Sequence, residues 1–132
     1  MTRRIIQPEG WERPRGYSNG IAALGEQLFI AGQIGWNERE QIVSTDFVEQ
    51  TAQALRNIVA VLRAADSGPE HLVRMTWYVT DKREYLSRAS EIGAVYREII
   101  GNVYPTMTLV QVADLLEDGA KVEIEATAVR SS

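Results

Sequence analysis

Two helix-patterned segments flank a run of β-branched and aromatic residues, Leu72-Val73-Arg74-Met75-Thr76-Trp77-Tyr78-Val79-Thr80. That order constrains the fold more than any other feature, because a strand between two amphipathic helices must lie in a sheet that the helices cover. Before the run, Ala52, Leu55, Ile58, Val59 and Leu62 follow the i, i+3, i+4, i+7 spacing of a helix face. Asp46 with Glu49 makes a capping box at its start. The pattern continues to about Ala65 and breaks at Ser67-Gly68-Pro69. After the run, Asp81 and Glu84 mark a second helix start. Leu86, Ala89, Ile92, Gly93, Tyr96, Ile99 and Ile100 give that helix an apolar stripe, and Gly101-Asn102 ends it.

The remaining apolar runs are short. Ile21-Ala22-Ala23-Leu24 and Leu28-Phe29-Ile30-Ala31 surround Gly25-Glu26-Gln27 and read as a hairpin with a glycine turn, with Ile5-Ile6 as a preceding edge strand. In the central run Val73, Met75, Trp77 and Val79 share one face. Two further strands, about 106–113 and 122–129, are joined through Glu117-Asp118-Gly119. The order β-β-β-α-β-α-β-β predicts a two-layer α/β sandwich, a mixed six-stranded sheet with two helices on one face. Strands across a helix are expected parallel, and those joined by short turns antiparallel. The second sheet face has no cover within the chain, and alternating apolar residues there call for a partner subunit.

Composition narrows the function classes. At 132 residues, 1–132 fits one domain with an ordinary core. A formal net charge of −4 argues against nucleic acid as a partner, since such binding draws on dense Lys and Arg contacts to phosphate. Arg3, Arg4, Arg13 and Arg15 read as a solvated arm. The absence of cysteine excludes disulfides and Cys-based zinc sites and fits a reducing compartment. The single histidine, His71, follows Pro69-Glu70 and reads as a capping or surface residue, so no metal site of the usual kind is expected. No phosphate loop, nucleophile elbow or dinucleotide fingerprint calls for a cofactor. The N-terminal residues hold only Ile5-Ile6 as an apolar run, too short for a signal peptide or membrane span. A cytoplasmic protein with no membrane partner is expected.

Four segments carry a resemblance: Gly16-Tyr17-Ser18-Asn19-Gly20, Ala31-Gly32-Gln33-Ile34, Tyr104-Pro105-Thr106-Met107-Thr108-Leu109-Val110 and Lys121-Val122-Glu123-Ile124-Glu125-Ala126-Thr127-Ala128-Val129. With them the chain resembles the RidA (YjgF) family over about 16–129. The resemblance implies a chorismate mutase-like fold, three sheets packed into a barrel-like homotrimer, and clefts between neighbours. It also implies hydrolysis of reactive enamines and imines without a cofactor, on a small-molecule substrate.

Residue roles follow by the same resemblance. Glu123 matches the glutamate that positions the attacking water, and a carboxylate can take a proton from water and return one to the leaving amine. From the residues alone, Glu123 and Glu125 are two carboxylates on one strand face, solvated or paired with Lys or Arg. Tyr17 matches a tyrosine that closes the cleft, and Gly32 a glycine that lets the ligand approach the backbone. Ala31 stands where several relatives carry a hydroxyl. Trp36 follows Gly35 and could wall the cleft, whereas Trp77 reads as packing.

Met107 is the main departure. Deaminating relatives carry there an arginine that grips the substrate carboxylate, and a thioether offers neither charge nor donor. A neutral or more apolar ligand is expected, unless Arg13 or Arg15 supplies the cation. Three functions are therefore compared: an enamine/imine deaminase, a non-catalytic trimer that binds a small metabolite, and an RNA-cleaving translation inhibitor.

Overall fold

Asp46 accepts a hydrogen bond from the Glu49 backbone N–H at 3.0 Å and so starts helix α1 (Phe47–Ala64), as the spacing predicts. The computed structural model describes residues 3–131. The other elements are strands β1 (Arg3–Ile6), β2 (Gly20–Ala23), β3 (Glu26–Gln33), β4 (Leu72–Val79), β5 (Thr106–Gln111) and β6 (Val122–Arg130), with helices α2 (Lys82–Ser87) and α3 (Ala89–Ile99). A 3₁₀ turn, Pro69–His71, carries the chain from α1 into β4, and the Ser67 hydroxyl and His71 Nδ1 share a 2.7 Å hydrogen bond there.

The six strands divide into two sheets. Four form a mixed sheet in the order β3-β6-β4-β5, and β1 pairs with β2 as an antiparallel ribbon. A bridge from Ser18 to Thr106 joins the segment after the ribbon's first strand to the β5 edge. Across the crossover helices β4 and β5 are parallel, as expected. The expected β2–β3 hairpin does not form. Gly25 lies against the Arg130 carbonyl, where a Cβ would overlap it, and has a φ of 148°. That glycine serves the approach of β3 to the end of β6, so β3 pairs with β6 while β2 turns away to β1. Likewise β6 follows β5 in sequence yet inserts between β3 and β4.

The second helix is broken in two. Arg88 leaves helical geometry (φ −115°, ψ 20°) between α2 and α3. Its guanidinium binds Asp46 at 2.6 Å and Glu91 at 2.9 Å, tying the break to the start of α1.

The core lies between the helices and one sheet face. Leu55, Ile58 and Leu62 of α1 and Ile92 and Tyr96 of α3 pack against Met75, Trp77 and Val79 of β4 and Val122, Ile124, Ala126 and Ala128 of β6. Truncating one such side chain to Ala costs about 2–5 kcal/mol. Leu72 rather than Val73 joins this core, because the β4–β6 register shifts between Leu72 and Arg74. One buried polar side chain organises the loops above it. Gln50 donates to the Ser44 and Gly119 carbonyls, each at 2.9 Å, and accepts from the Lys121 N–H at 2.8 Å. This fixes the chain just ahead of β6.

The other sheet face is open. Arg74, Thr76 and Tyr78 of β4 lie in register with Thr127, Glu125 and Glu123 of β6, and Phe29 of β3 is 75% exposed. No helix among the described residues is long and apolar enough to cross a membrane.

Candidate functional site

Two clusters emerge from the residues singled out in the sequence. The first lies on the open face. Where β3 runs along β6 the register slips between Ile30 and Gln33, so Ala31 and Gly32 form a bulge. The Glu123 side chain lies against Gly32, and a Cβ on that residue would overlap its carboxylate. Glycine is thus required for the carboxylate to lie over the bulge. Among the described residues no hydrogen bond or ion pair engages the half-buried Glu123. Its strand neighbour differs: the Tyr78 hydroxyl donates to Glu125 at 2.8 Å. Glu125 in turn holds the Tyr78 phenol above its usual pKa, chiefly by accepting that hydrogen bond. Tyr78 stands opposite Glu123 in the ladder but binds Glu125 diagonally, leaving Glu123 the carboxylate without a partner.

The second cluster lies on the helix side. Met107 pairs in register with buried Met75, so its side chain joins the face that the helices cover. It lines a cavity of about 240 Å³ with Trp77, Tyr85, Ile92, Tyr96 and Arg97. Burial raises the Tyr85 and Tyr96 phenols above their usual pKa, so both stay protonated and neutral. Tyr85 meets Trp77 edge-on, with ring centroids 6.3 Å apart, and Tyr96 stacks on Tyr104 at 5.9 Å.

Tyr17 stands at the β5 edge, between the two sides. Ser18 bonds back to the Tyr-Pro segment, its N–H to the Pro105 carbonyl at 3.1 Å and its hydroxyl to the Tyr104 carbonyl at 2.6 Å. Those bonds bring Tyr17, 41% exposed, into a depression at the β5 edge shared with Arg74, Thr106 and Met107. Arg13 lines an adjoining groove with Tyr17 and Tyr104 but not the Met107 cavity. Trp36 stands apart: Asn57 of α1 donates to its carbonyl at 2.9 Å, holding its loop on the α1 side.

Glu123, Gly32 and Ala31 therefore assemble on one face, and Met107 and Tyr17 at the other face and its edge. Within one chain the two groups do not meet.

The sequence reading passed over Arg97, the cation that lines the Met107 cavity. Its sequence signal is a glycine in mid-helix, Gly93, one turn before it. A Cβ on Gly93 would sit 3.2 Å from Arg97 Nη1, so the guanidinium folds back over that glycine. Trp77, read as packing, is both core and cavity wall.

The family model of Endoribonuclease L-PSP matches residues 12–130. The chain belongs to this family, the RidA/YjgF proteins. Among its relatives is the 2-iminobutanoate/2-iminopropanoate deaminase of Capra hircus, 30% identical over 98% of this chain and 92% of that protein. Among solved structures, the conserved Rid family protein YyfB of Yersinia pestis is 32% identical and superposes with a TM-score of 0.87, covering 98% of this chain and all of that one (100%). Escherichia coli TdcF with bound serine is 34% identical, with a TM-score of 0.69 over 97% of this chain and 99% of that one. Reactive-intermediate deaminases thus stand among the members of this family, and the α/β architecture with a mixed sheet is the one they share.

Proposed function

We propose that this chain is a hydrolytic deaminase of imines and enamines, working as a homotrimer in the cytoplasm. One neighbour's Glu123 faces the other's Met107 cavity across each cleft. The observation that carries this reading is the Glu123 carboxylate lying over Gly32 with no hydrogen-bond or ion-pair partner among the described residues. The open sheet face, with Phe29 75% exposed, supplies the surface for the neighbour.

The chemistry is a water addition. Glu123 takes a proton from water as its oxygen bonds to the imine carbon. The imine nitrogen, protonated from solvent, becomes the amine of a carbinolamine; Glu123 then returns its proton to that nitrogen, the C–N bond breaks to release ammonia, and the hydroxyl gives up its proton to solvent as the C=O forms. An oxo compound and ammonia leave, and no redox partner is required. Gly32 holds the carboxylate and exposes backbone beside it, and Tyr17 flanks the entrance.

Ammonia release from imines generated in situ tests the reading. Glu123→Gln keeps the shape but cannot accept a proton at neutral pH, so turnover should fall on the order of 10²-fold or more. Glu125→Gln, whose native carboxylate is occupied by Tyr78, should change little. Full activity in Glu123→Gln rules out this base. An absence of turnover by the wild type on any imine favours a second reading, a trimer that captures a metabolite. Met107, half-buried and without charge, is the observation on that side. RNA cleavage by a pair of histidines is not open to a sequence with one histidine.

A further inference from the structure

The helix-side cavity has an aromatic wall and one charged group at its mouth. Trp77 is 2% exposed and its Nε1 is buried, so the indole takes part as wall rather than as a donor to a ligand. At the other extreme Arg97 is exposed, and none of the ion pairs among the described residues involves it. Between these ends the wall is aromatic and apolar: Tyr85, Tyr96, Ile92 and Met107. A volume of about 240 Å³ exceeds the ~150 Å³ of an apolar protein cavity that takes up benzene.

Gly93 supports the same assignment. Glycine inside a helix destabilises it by about 1 kcal/mol relative to alanine. What the missing side chain provides here is the space that the Arg97 guanidinium occupies, over the helix surface and beside the cavity.

We propose that this cavity selects aryl-substituted 2-imino acids. The aromatic ring enters among Tyr85, Tyr96 and Met107, and the carboxylate stays outward on Arg97. The arginine missing from position 107 is thereby replaced from helix α3. Selection for turnover rests on the deaminase reading above, whereas binding does not. With the carboxylate at the mouth, the adjacent imine carbon also lies outward, where a neighbour's Glu123 reaches it under that reading.

The 2-oxo acids are the stable probes, because they keep the carboxylate and the side chain. Calorimetry of the full chain should rank 4-hydroxyphenylpyruvate and phenylpyruvate above pyruvate. Arg97→Ala should weaken the two aryl acids about tenfold or more, the effect of losing a hydrogen bond to a charged group, and Arg97→Lys should restore part of it. Pyruvate binding as tightly as phenylpyruvate, or Arg97→Ala with unchanged affinity, would overturn the proposal. Ammonia assays separate the two readings. Aryl acids that bind in an Arg97-dependent way, with no imine hydrolysed, sink the deaminase and spare the cavity. Imines hydrolysed without regard to side chain or to Arg97 do the reverse.

Discussion

Met107 and Glu123 lie on opposite faces of one sheet, Met107 in register with buried Met75 and Glu123 in register with Tyr78 on the open face. No rotamer change brings them together within a chain, because strand side chains alternate between faces. A site that uses both must draw them from two chains.

That geometry gives a complementation test. Ala89 is exposed and lines the Met107 cavity, so Ala89→Trp should block the cavity and spare the fold. Neither Ala89→Trp nor Glu123→Gln should be active by itself. Dissociated, mixed in equal amounts and reassociated, they should regain about a quarter of wild-type activity, since one ring interface in four pairs two intact halves. No recovery, with mixed assemblies demonstrated by mass spectrometry, would place both halves in one chain.

Gly32→Ala should reduce activity about tenfold or more, because its Cβ displaces the Glu123 carboxylate from the position general acid–base catalysis requires. The carboxylate is the end of a flexible side chain, so the fold should survive. The double variant with Glu123→Gln should be no worse than Glu123→Gln alone. Additive losses measured by kcat/KM would show that Gly32 acts on something else.

Gln50→Ala should lower stability by about 1–3 kcal/mol in urea unfolding, since it strands the Ser44 and Gly119 carbonyls and the Lys121 N–H. A change of a few tenths would mean that water replaces the amide.

Arg88 sets an acid limit. Its hydrogen bonds hold the Asp46 and Glu91 carboxyls below the usual carboxylate range. A depressed folded-state pKa gives stability that is fully present above the unfolded value and lost as pH falls through the folded one. Arg88→Met should therefore lower Tm above about pH 5, with the gap to wild type closing below about pH 4. A gap that ignores pH would show that the break between α2 and α3, rather than charge, is what Arg88 supports.

Local structure was the legible part of this sequence. Asp46 with Glu49, Asp81 with Glu84, and the alternation through Met75, Trp77 and Val79 announce their elements because each depends on neighbours a few residues apart. Pairing was less legible. The glycine turn at Gly25 looks like a hairpin until the Arg130 carbonyl, far along the chain, is known to lie against it. The split at Arg88 was hidden for the same reason, since Asp46 on another helix helps to hold it. Within the site, Glu123, Gly32 and Met107 carried family signatures, whereas Arg97 did not. A lone arginine on an exposed helix position looks like any solvated charge, and only its fold over Gly93 and its place beside Met107 distinguish it.

The bulge at Ala31-Gly32 has an evolutionary consequence. It leaves room for the Glu123 carboxylate, which strand alternation puts on the face opposite the cavity residues. Under the proposed function, substitutions at positions 85, 97 and 107 would retune what is recognised and leave Glu123 undisturbed. A duplicated gene carrying such changes would form mixed rings in which each seam has its own preference, so one reaction could be diversified across paralogues with its apparatus left intact.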